Sequence, residues 1–217
     1  MKLRSLSLLI FFFSSVQVFS QFELGRLQYS GGDWYGNPSS LPNLLSFFSK
    51  KLGVNAGKRD KVISLKNESF KKVAVMYFTG HGIFKLNLRE RNNLRWFLKN
   101  GGFLFADDNF GMDKSIRKVL NSLFPGIRLQ EISWQHKIFK YPFKMPNGLP
   151  KIHKHYGGPA KAYGLFLNGR LVTFYGYNSD LGDGWEDVNI HNDGSAKHLS
   201  ALQMGVNVLW YALNSGL

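Results

Sequence analysis

The sequence contains no cysteine, and this absence excludes several classes of function. A disulfide scaffold, a thiolate nucleophile, a zinc knuckle, an iron–sulfur centre and a lipoprotein anchor all require that residue. Acidic residues are also scarce, since 14 Asp and Glu stand against 28 Lys and Arg and leave a net charge of +14. Apolar residues are plentiful, and their 44% share excludes a wholly disordered chain.

Long apolar runs are missing everywhere except near the N-terminus. Residues 1–20 begin with the cations Lys2 and Arg4, continue through an apolar core at residues 6–13 and end at the small residue Ser20. This order is typical of a secretory signal that is cleaved after its last small residue. We therefore expect a signal peptide at residues 1–20 and an exported product, placed in the periplasm or outside the cell.

The remaining residues, 21–217, have the length of a single α/β domain of ordinary size. After cleavage we expect this domain not to be an integral membrane protein, because it has no second long apolar run. An uncleaved N-terminal anchor is the minor alternative, since the uncharged run over residues 5–22 reaches the short edge of a membrane span.

The excess of basic residues predicts a partner with negative charge. The cations are spread along the chain, which is typical of a solvated surface. An exported protein rarely meets nucleic acid, so we predict no nucleic-acid partner. The predicted partner is an unknown protein or an anionic component of the cell envelope, and the sequence leaves the cofactor unknown.

Strands and helices are predicted to alternate after residue 21. Continuous apolar runs at residues 73–78 and 103–106 are typical of central strands buried on both faces, and residues 127–130 predict a shorter strand. Residues 162–177 predict a β-hairpin that turns at Asn168-Gly169. The predicted fold class is therefore α/β, flavodoxin-like or Rossmann-like, with a mostly parallel sheet, helices on both faces and an antiparallel hairpin at one edge.

Polar, glycine-rich segments follow four of the predicted strands, and the last of them is a long acidic loop over residues 178–194. In an open α/β sheet, ligands bind beyond the carboxyl ends of the strands, so these segments are predicted to meet at one edge. The candidate catalytic residues are His81, Asp107 and Asp108. The candidate ligand-binding residues are Gly32, Asp33, Trp34, Gly80, Gly82, Asn109, Asn178, Asp180, Asp183 and Trp185.

Each candidate also has a purely structural alternative. His81, which lies between glycines, is either a general base or oxyanion donor or a residue that caps a tight turn. Asp107 and Asp108 either share a metal ion or hold the base, His81, as its partner, or else they supply one helix cap and one solvated acid. Trp34, Tyr35 and Trp185 either stack on a flat ligand or sugar or simply pack against the protein.

No complete catalytic or metal motif is present. Three acids of the loop over residues 178–194 lack the spacing and the closing glutamate of a calcium loop. His153 and His155 would share one face of a strand, but a histidine pair without a third ligand usually lies on the surface. We therefore assign no metal ligands from the sequence.

Several segments are characteristic in combination: residues 26–34, 41–45, 79–82, 101–108, 178–185 and 205–208. Together they resemble the bacterial family of domains of unknown function numbered 4159, over nearly all of the chain after residue 20 and in the same order. The resemblance implies a three-layer fold similar to class I glutamine amidotransferase-like and trehalose-utilisation (ThuA-like) domains. It implies no assigned activity, although some longer relatives carry the domain outside the membrane near von Willebrand type A modules and MoxR-type ATPases.

The sequence departs from an amidotransferase at its most important position. The nucleophilic cysteine of such an enzyme lies on the turn after a central strand, and the matching turn here is Gly80-His81-Gly82 in a chain without cysteine. Thiol-based amidotransfer is therefore excluded. The favoured hypothesis is a non-catalytic ligand- or partner-binding module of the cell envelope. The alternative is a hydrolase or lyase that uses His and Asp, with or without a metal, on an envelope or sugar-like substrate.

Overall fold

The computed structural model describes residues 21–153, 155 and 157–215, so the predicted signal peptide lies outside the described residues. The strands are β1 (Leu24–Gln28), β2 (Ser30–Gly32), β3 (Lys61–Ser64), β4 (Val75–Phe78), β5 (Gly82–Lys85), β6 (Phe103–Asp107), β7 (Gln130–Glu131), β8 (Lys161–Leu167) and β9 (Arg170–Tyr177). The helices are α1 (Ser40–Leu52), α2 (Leu88–Lys99), α3 (Asp113–Ser122), α4 (Leu181–Trp185), α5 (Val188–His191) and α6 (Ser195–Asn214).

The main sheet has seven strands in the order β3-β1-β4-β6-β9-β8-β7. The first five are parallel to one another, while β8 and β7 run antiparallel to their neighbours. The predicted mixed α/β fold, with a mostly parallel sheet and an antiparallel edge, is therefore confirmed. The hairpin turns where predicted, because Asn168 and Gly169 both adopt the positive φ that a two-residue turn of this kind requires.

Apolar side chains of the central strands alternate between two cores, one on each face of the sheet. Val75 and Tyr77 belong to the core that includes residues of α1 and α6, whereas Met76 and Phe78 belong to the core that includes residues of α2 and α3. Both faces of the strand are thus buried, which explains the continuous apolar run in its sequence. Within the described part of the chain, no helix has the length and apolar character needed to cross a membrane.

The structure corrects the sequence predictions at three places. The strand predicted at residues 127–130 is displaced to β7, because the preceding residues are tied to the end of α3 through Asn121. The loop predicted at residues 178–194 contains the short helices α4 and α5. The polar, glycine-rich segment after β1 contains β2, which pairs antiparallel with β5, a strand after β4 that the sequence did not predict.

Glycine makes the small β2–β5 sheet possible. A Cβ atom at Gly32 would clash with the carbonyl oxygen of His81, and one at Gly31 would lie 2.5 Å from the carbonyl oxygen of Ile83. Gly82 also has a φ of 91°, which side chains rarely adopt. The close approach of these two backbones fixes the position of His81.

Candidate functional site

Four polar segments meet at one edge of the sheet. Because β1, β4, β6 and β9 are parallel neighbours, their carboxyl ends lie side by side. We call the edge formed by the segments that follow these strands the rim: residues 29–33, 79–82, 107–109 and 178–183. Specific contacts within the rim show which candidate residues work together.

His81 and Asp33 form a pair at the surface of the rim. The ring Nδ1 of His81 lies 2.9 Å from Asp33 Oδ2, and the backbone N–H of His81 donates to Asp33 Oδ1. The side chains are 51% and 35% exposed. Burial alone would raise the pKa of Asp33, but the two hydrogen bonds from His81 outweigh it and hold that pKa below its ordinary value.

Glycine at position 80 allows this pair to form. Gly80 has a φ of 143°, and a Cβ atom there would lie 2.6 Å from Asp33 Oδ1 and 2.5 Å from the hydroxyl oxygen of Tyr29. The sequence offered Asp107 and Asp108 as partners of His81 and placed Asp33 among the ligand-binding residues. In the structure the side chain that contacts His81 is Asp33.

Asp107 is fully buried and links β6 to the start of α4. Its Oδ2 accepts a hydrogen bond from the backbone N–H of Gly182 at 2.7 Å and one from the Tyr77 hydroxyl at 3.3 Å. Its Oδ1 has no hydrogen-bond partner among the described residues. Burial, reinforced by the charge of Asp183, raises the pKa of Asp107 to about 7 although the Gly182 hydrogen bond lowers it.

Asp108 is committed to the turn that begins α3. Its Oδ1 accepts a hydrogen bond from the N–H of Met112 at 2.9 Å, and its Oδ2 accepts a weaker one from Tyr175 at 3.4 Å. Burial raises its pKa above the ordinary value. The neighbouring Asn109 is also buried, and its Oδ1 has no hydrogen-bond partner among the described residues.

Asp180 is the least satisfied group of the rim. It is 1% exposed and adopts a left-handed backbone with φ 59°, and within the described structure neither carboxyl oxygen has a hydrogen-bond partner. The Nε2 atom of His155 lies 3.8 Å from its Oδ2. Burial, followed by the charges of Asp107 and Asp183, raises the pKa of Asp180 to about 9, so this carboxyl is protonated at neutral pH.

His155 connects Asp180 to the His81 side of the rim. Its ring packs on Phe110 with centroids 5.0 Å apart, and Phe110 forms an isolated parallel bridge with His81. On its other side the His155 ring lies 4.9 Å from the ring of His153. Burial and the nearby His153 lower the pKa of His155 below its ordinary value.

Asn178 and both tryptophan candidates have structural contacts. The Asn178 amide donates to the carbonyl oxygens of residues 157–159 and thereby docks that segment onto the end of β9. Trp185 is fully buried, and its indole N–H donates to the carbonyl oxygen of Ala201 at 2.8 Å. Trp34 is partly buried and meets the exposed Tyr35 edge-on, with ring centroids 5.7 Å apart.

Sequence reasoning missed a histidine–carboxylate cluster beside the rim. One side-chain ligand atom from each of His153, Asp183 and His191 lies within 4.8 Å of the others. Glu186 and Asp193 each contact one of these histidines. A sequence signal did exist, because the segment over residues 178–194 concentrates acids and a histidine in a chain that is otherwise rich in cations.

The chain was also compared with known proteins. A search of curated proteins finds no match to it. The family described as "Domain of unknown function (DUF4159)" matches residues 23–213, which include every strand, every residue of the rim and all helical residues except the last one of α6. The chain therefore belongs to the DUF4159 family, as its sequence motifs predicted.

Proposed function

We propose that this protein is a hydrolase or lyase in which His81 acts as the general base and Asp33 orients it. The single observation that carries this proposal is the pair itself, with His81 Nδ1 2.9 Å from Asp33 Oδ2 at an accessible turn of the rim. A histidine whose second ring nitrogen is held by a carboxylate is the usual arrangement of a base in acid–base catalysis.

The pair leaves one atom available for chemistry. The ionised Asp33 accepts a hydrogen bond from the Nδ1–H of His81, so the neutral imidazole has its free lone pair on Nε2. Because the histidine is half exposed, this atom has access to a water molecule or to an acidic proton of a substrate. In the hydrolytic form of the proposed reaction, a water molecule activated by His81 is the nucleophile.

Unsatisfied polar atoms further support a functional rim. Seven buried side-chain atoms of the described residues have no hydrogen-bond partner, and five of them lie in the rim: Thr79 Oγ1, Asp107 Oδ1, Asn109 Oδ1 and both carboxyl oxygens of Asp180. Each buried polar atom of this kind costs about 1–3 kcal/mol of stability. Such a cost concentrated at one edge of a sheet favours a functional origin over a structural one.

The second candidate is the non-catalytic binding module of the envelope. It is favoured by the structural commitment of Asp108, Asn178 and Trp185, which are engaged in hydrogen bonds within the protein. On this alternative, the unsatisfied rim atoms bind a ligand or a partner loop without any reaction.

The finer fold class and the cellular location belong to the same proposal. The five parallel strands and the family membership support a three-layer, flavodoxin-like arrangement of the class I glutamine amidotransferase-like type. The pattern of residues 1–20 supports export. An exported enzyme of this kind would act on an envelope or sugar-like substrate.

A panel of chromogenic esters, phosphoesters and glycosides tests the catalytic proposal. We expect wild-type hydrolysis of at least one class, a loss of about 100-fold in His81→Gln and a loss of about 10-fold in Asp33→Asn. The matched control is His136→Gln, because that histidine packs on Phe166 and Tyr211, away from the rim. Unchanged rates in both His81→Gln and Asp33→Asn would refute the proposal. An inactive wild type would favour the binding module.

A further inference from the structure

His153, Asp183 and His191 come from three different segments and converge beside the rim. Asp183 lies in α4, His191 ends α5, and His153 belongs to the irregular segment that precedes β8. His191 Nδ1 lies 3.9 Å from Asp183 Oδ2, and one ligand atom from each of the three residues lies within 4.8 Å of the other two. Atoms that bind one transition-metal ion lie about 2.0–2.2 Å from it, so small side-chain rotations bring these three atoms to that spacing.

In each of these three side chains, one of the two ring nitrogens or carboxyl oxygens already contacts another residue. His153 Nδ1 lies 3.2 Å from Asp193 Oδ2, and His191 Nε2 lies 3.0 Å from Glu186 Oε2. Asp183 Oδ1 accepts a hydrogen bond of 2.6 Å from the Asn37 amide. The atoms left to bind a ligand are therefore Nε2 of His153, Nδ1 of His191 and Oδ2 of Asp183.

This second layer of contacts is what metal sites usually show. A histidine that binds a metal nearly always gives its other ring nitrogen to a carboxylate or carbonyl, and this contact fixes the orientation of the ring. Two histidines in this structure have that contact, and the carboxylate between them is oriented by an amide. These carboxylate and amide contacts therefore favour a metal site over an ordinary pair of surface histidines.

Burial and charge also suit a cation. Asp183 and Glu186 are 7% and 6% exposed, and a cavity of about 10 Å³ lined by Asp183, Glu186, His191 and Asp193, but not by His153, has room for a water-sized body. Three of these four residues are carboxylates, in a protein that is otherwise strongly basic. Lys197 partly offsets them, since its Nζ lies 3.6 Å from Asp193 Oδ1.

We propose that His153, Asp183 and His191 bind one divalent first-row transition-metal ion, for which Zn²⁺ is the reference probe. Two imidazoles and one carboxylate suit such ions better than Mg²⁺ or Ca²⁺, which prefer ligand sets made of oxygen. Three protein ligands leave at least one coordination position for water or substrate. The site stands on its own contacts and does not depend on the role proposed for His81.

The test uses the full chain without a histidine tag, stripped of metal by a chelator and titrated with Zn²⁺ against a chromophoric competitor. We expect one Zn²⁺ per chain with a dissociation constant of about 1 µM or tighter, and no measurable binding of Mg²⁺. His153→Gln, Asp183→Asn and His191→Gln each weaken binding about 100-fold, and Glu186→Gln weakens it about 10-fold. Titration with Co²⁺ gives the wild type a visible absorption band that the three ligand variants lack.

The control variants separate this site from neighbouring groups. His198→Gln removes a histidine from the wall of the same cavity and leaves zinc affinity unchanged. His81→Gln also leaves zinc affinity unchanged. A failure of the base role proposed for His81 and a failure of the metal proposal therefore give different results. Zinc affinity that is equal in the wild type and all three ligand variants means adventitious surface binding and overturns the proposal, as does a wild type that binds no zinc.

Folding is checked for each variant by circular dichroism. His153 is the mildest position, because its side chain is 32% exposed in an irregular segment. His153→Gln therefore keeps the test decisive even if Asp183→Asn fails to fold.

Discussion

Two carboxylates of the rim, Asp33 and Asp180, differ in nearly every property that sets the charge of a carboxyl group. The Asp33 side chain is 35% exposed and receives hydrogen bonds from both the backbone and the ring of His81. Asp180 is 1% exposed, and neither of its oxygens has a hydrogen-bond partner among the described residues. The pKa of Asp33 is accordingly lowered, whereas burial raises the pKa of Asp180 to about 9.

The difference shows how one edge of a sheet can supply both partners of acid–base chemistry. Residues of the same type are held ionised at one place and protonated at another, because solvation and hydrogen bonding differ over a short distance. Asp33 keeps its charge and orients His81. Asp180 keeps its proton next to His155, whose pKa is lowered.

The largest expected effect comes from removing the space in which Asp33 sits. Gly80→Ala places a Cβ atom 2.6 Å from Asp33 Oδ1 at a φ of 143°, so we expect a loss of about 3 kcal/mol in the free energy of unfolding. The matched control is Gly101→Ala, since Gly101 has a φ of 94° but no described atom within 4 Å of the added carbon. Its expected loss is about 1 kcal/mol in urea denaturation. Equal losses in the two variants would contradict the tight contact.

The next effect is a gain of stability at the other carboxylate. Asp180→Asn removes the ionisable group and keeps a residue that tolerates a left-handed backbone, so we expect a gain of about 1–3 kcal/mol at pH 8. The gain should shrink toward pH 4. A carboxyl whose folded pKa is raised lets the unfolded chain lose its proton first, so stability falls as the pH rises from about 4 to about 9.

Urea denaturation at several pH values, in the presence of a chelator, measures this gain. Asp108→Asn is the matched control, because Asp108 is equally buried but both of its oxygens accept hydrogen bonds. We expect that control to lose stability. A loss in Asp180→Asn at pH 8 would mean that the carboxylate has a partner that stabilises its charge.

The sequence predicted the sheet well because local patterns determine it. The apolar runs that became β4 and β6 and the Asn168-Gly169 turn each carry their own signal. The convergence of the rim followed from parallel strands alone, and so did the choice of His81 and Asp107 as candidates.

The contacts within the rim depend on features that no local pattern contains. Asp33 reaches His81 only because β2 and β5 pair across glycines, over a separation of 48 residues. His153 meets His191 only because Asn178 docks the intervening segment and α4 turns the chain. Orientation of side chains across such distances is set by packing, so the partner of each histidine could not be predicted from the sequence.

The smallest expected effect comes from Asp33, the more exposed of the two carboxylates. Asp33→Asn removes the charge that His81 pairs with, and because both side chains are screened by solvent we expect a loss of no more than about 0.5 kcal/mol in the free energy of unfolding at pH 7.

The pH dependence of this loss has a definite sign. A carboxyl whose folded pKa is lowered stabilises the protein above its unfolded pKa, and this contribution disappears as the pH falls through the folded pKa. The loss should therefore be present at pH 7 and shrink as the pH falls below the ordinary pKa of Asp, opposite in sign to the effect of Asp180→Asn. Glu68→Gln, which breaks the exposed pair with Lys71 away from the rim, is the control for a generic charge effect. If Asp33→Asn instead lowers the free energy of unfolding by several kcal/mol at pH 7, the contact between Asp33 and His81 serves to stabilise the turn. The exposure of His81 would then not support its role as a general base.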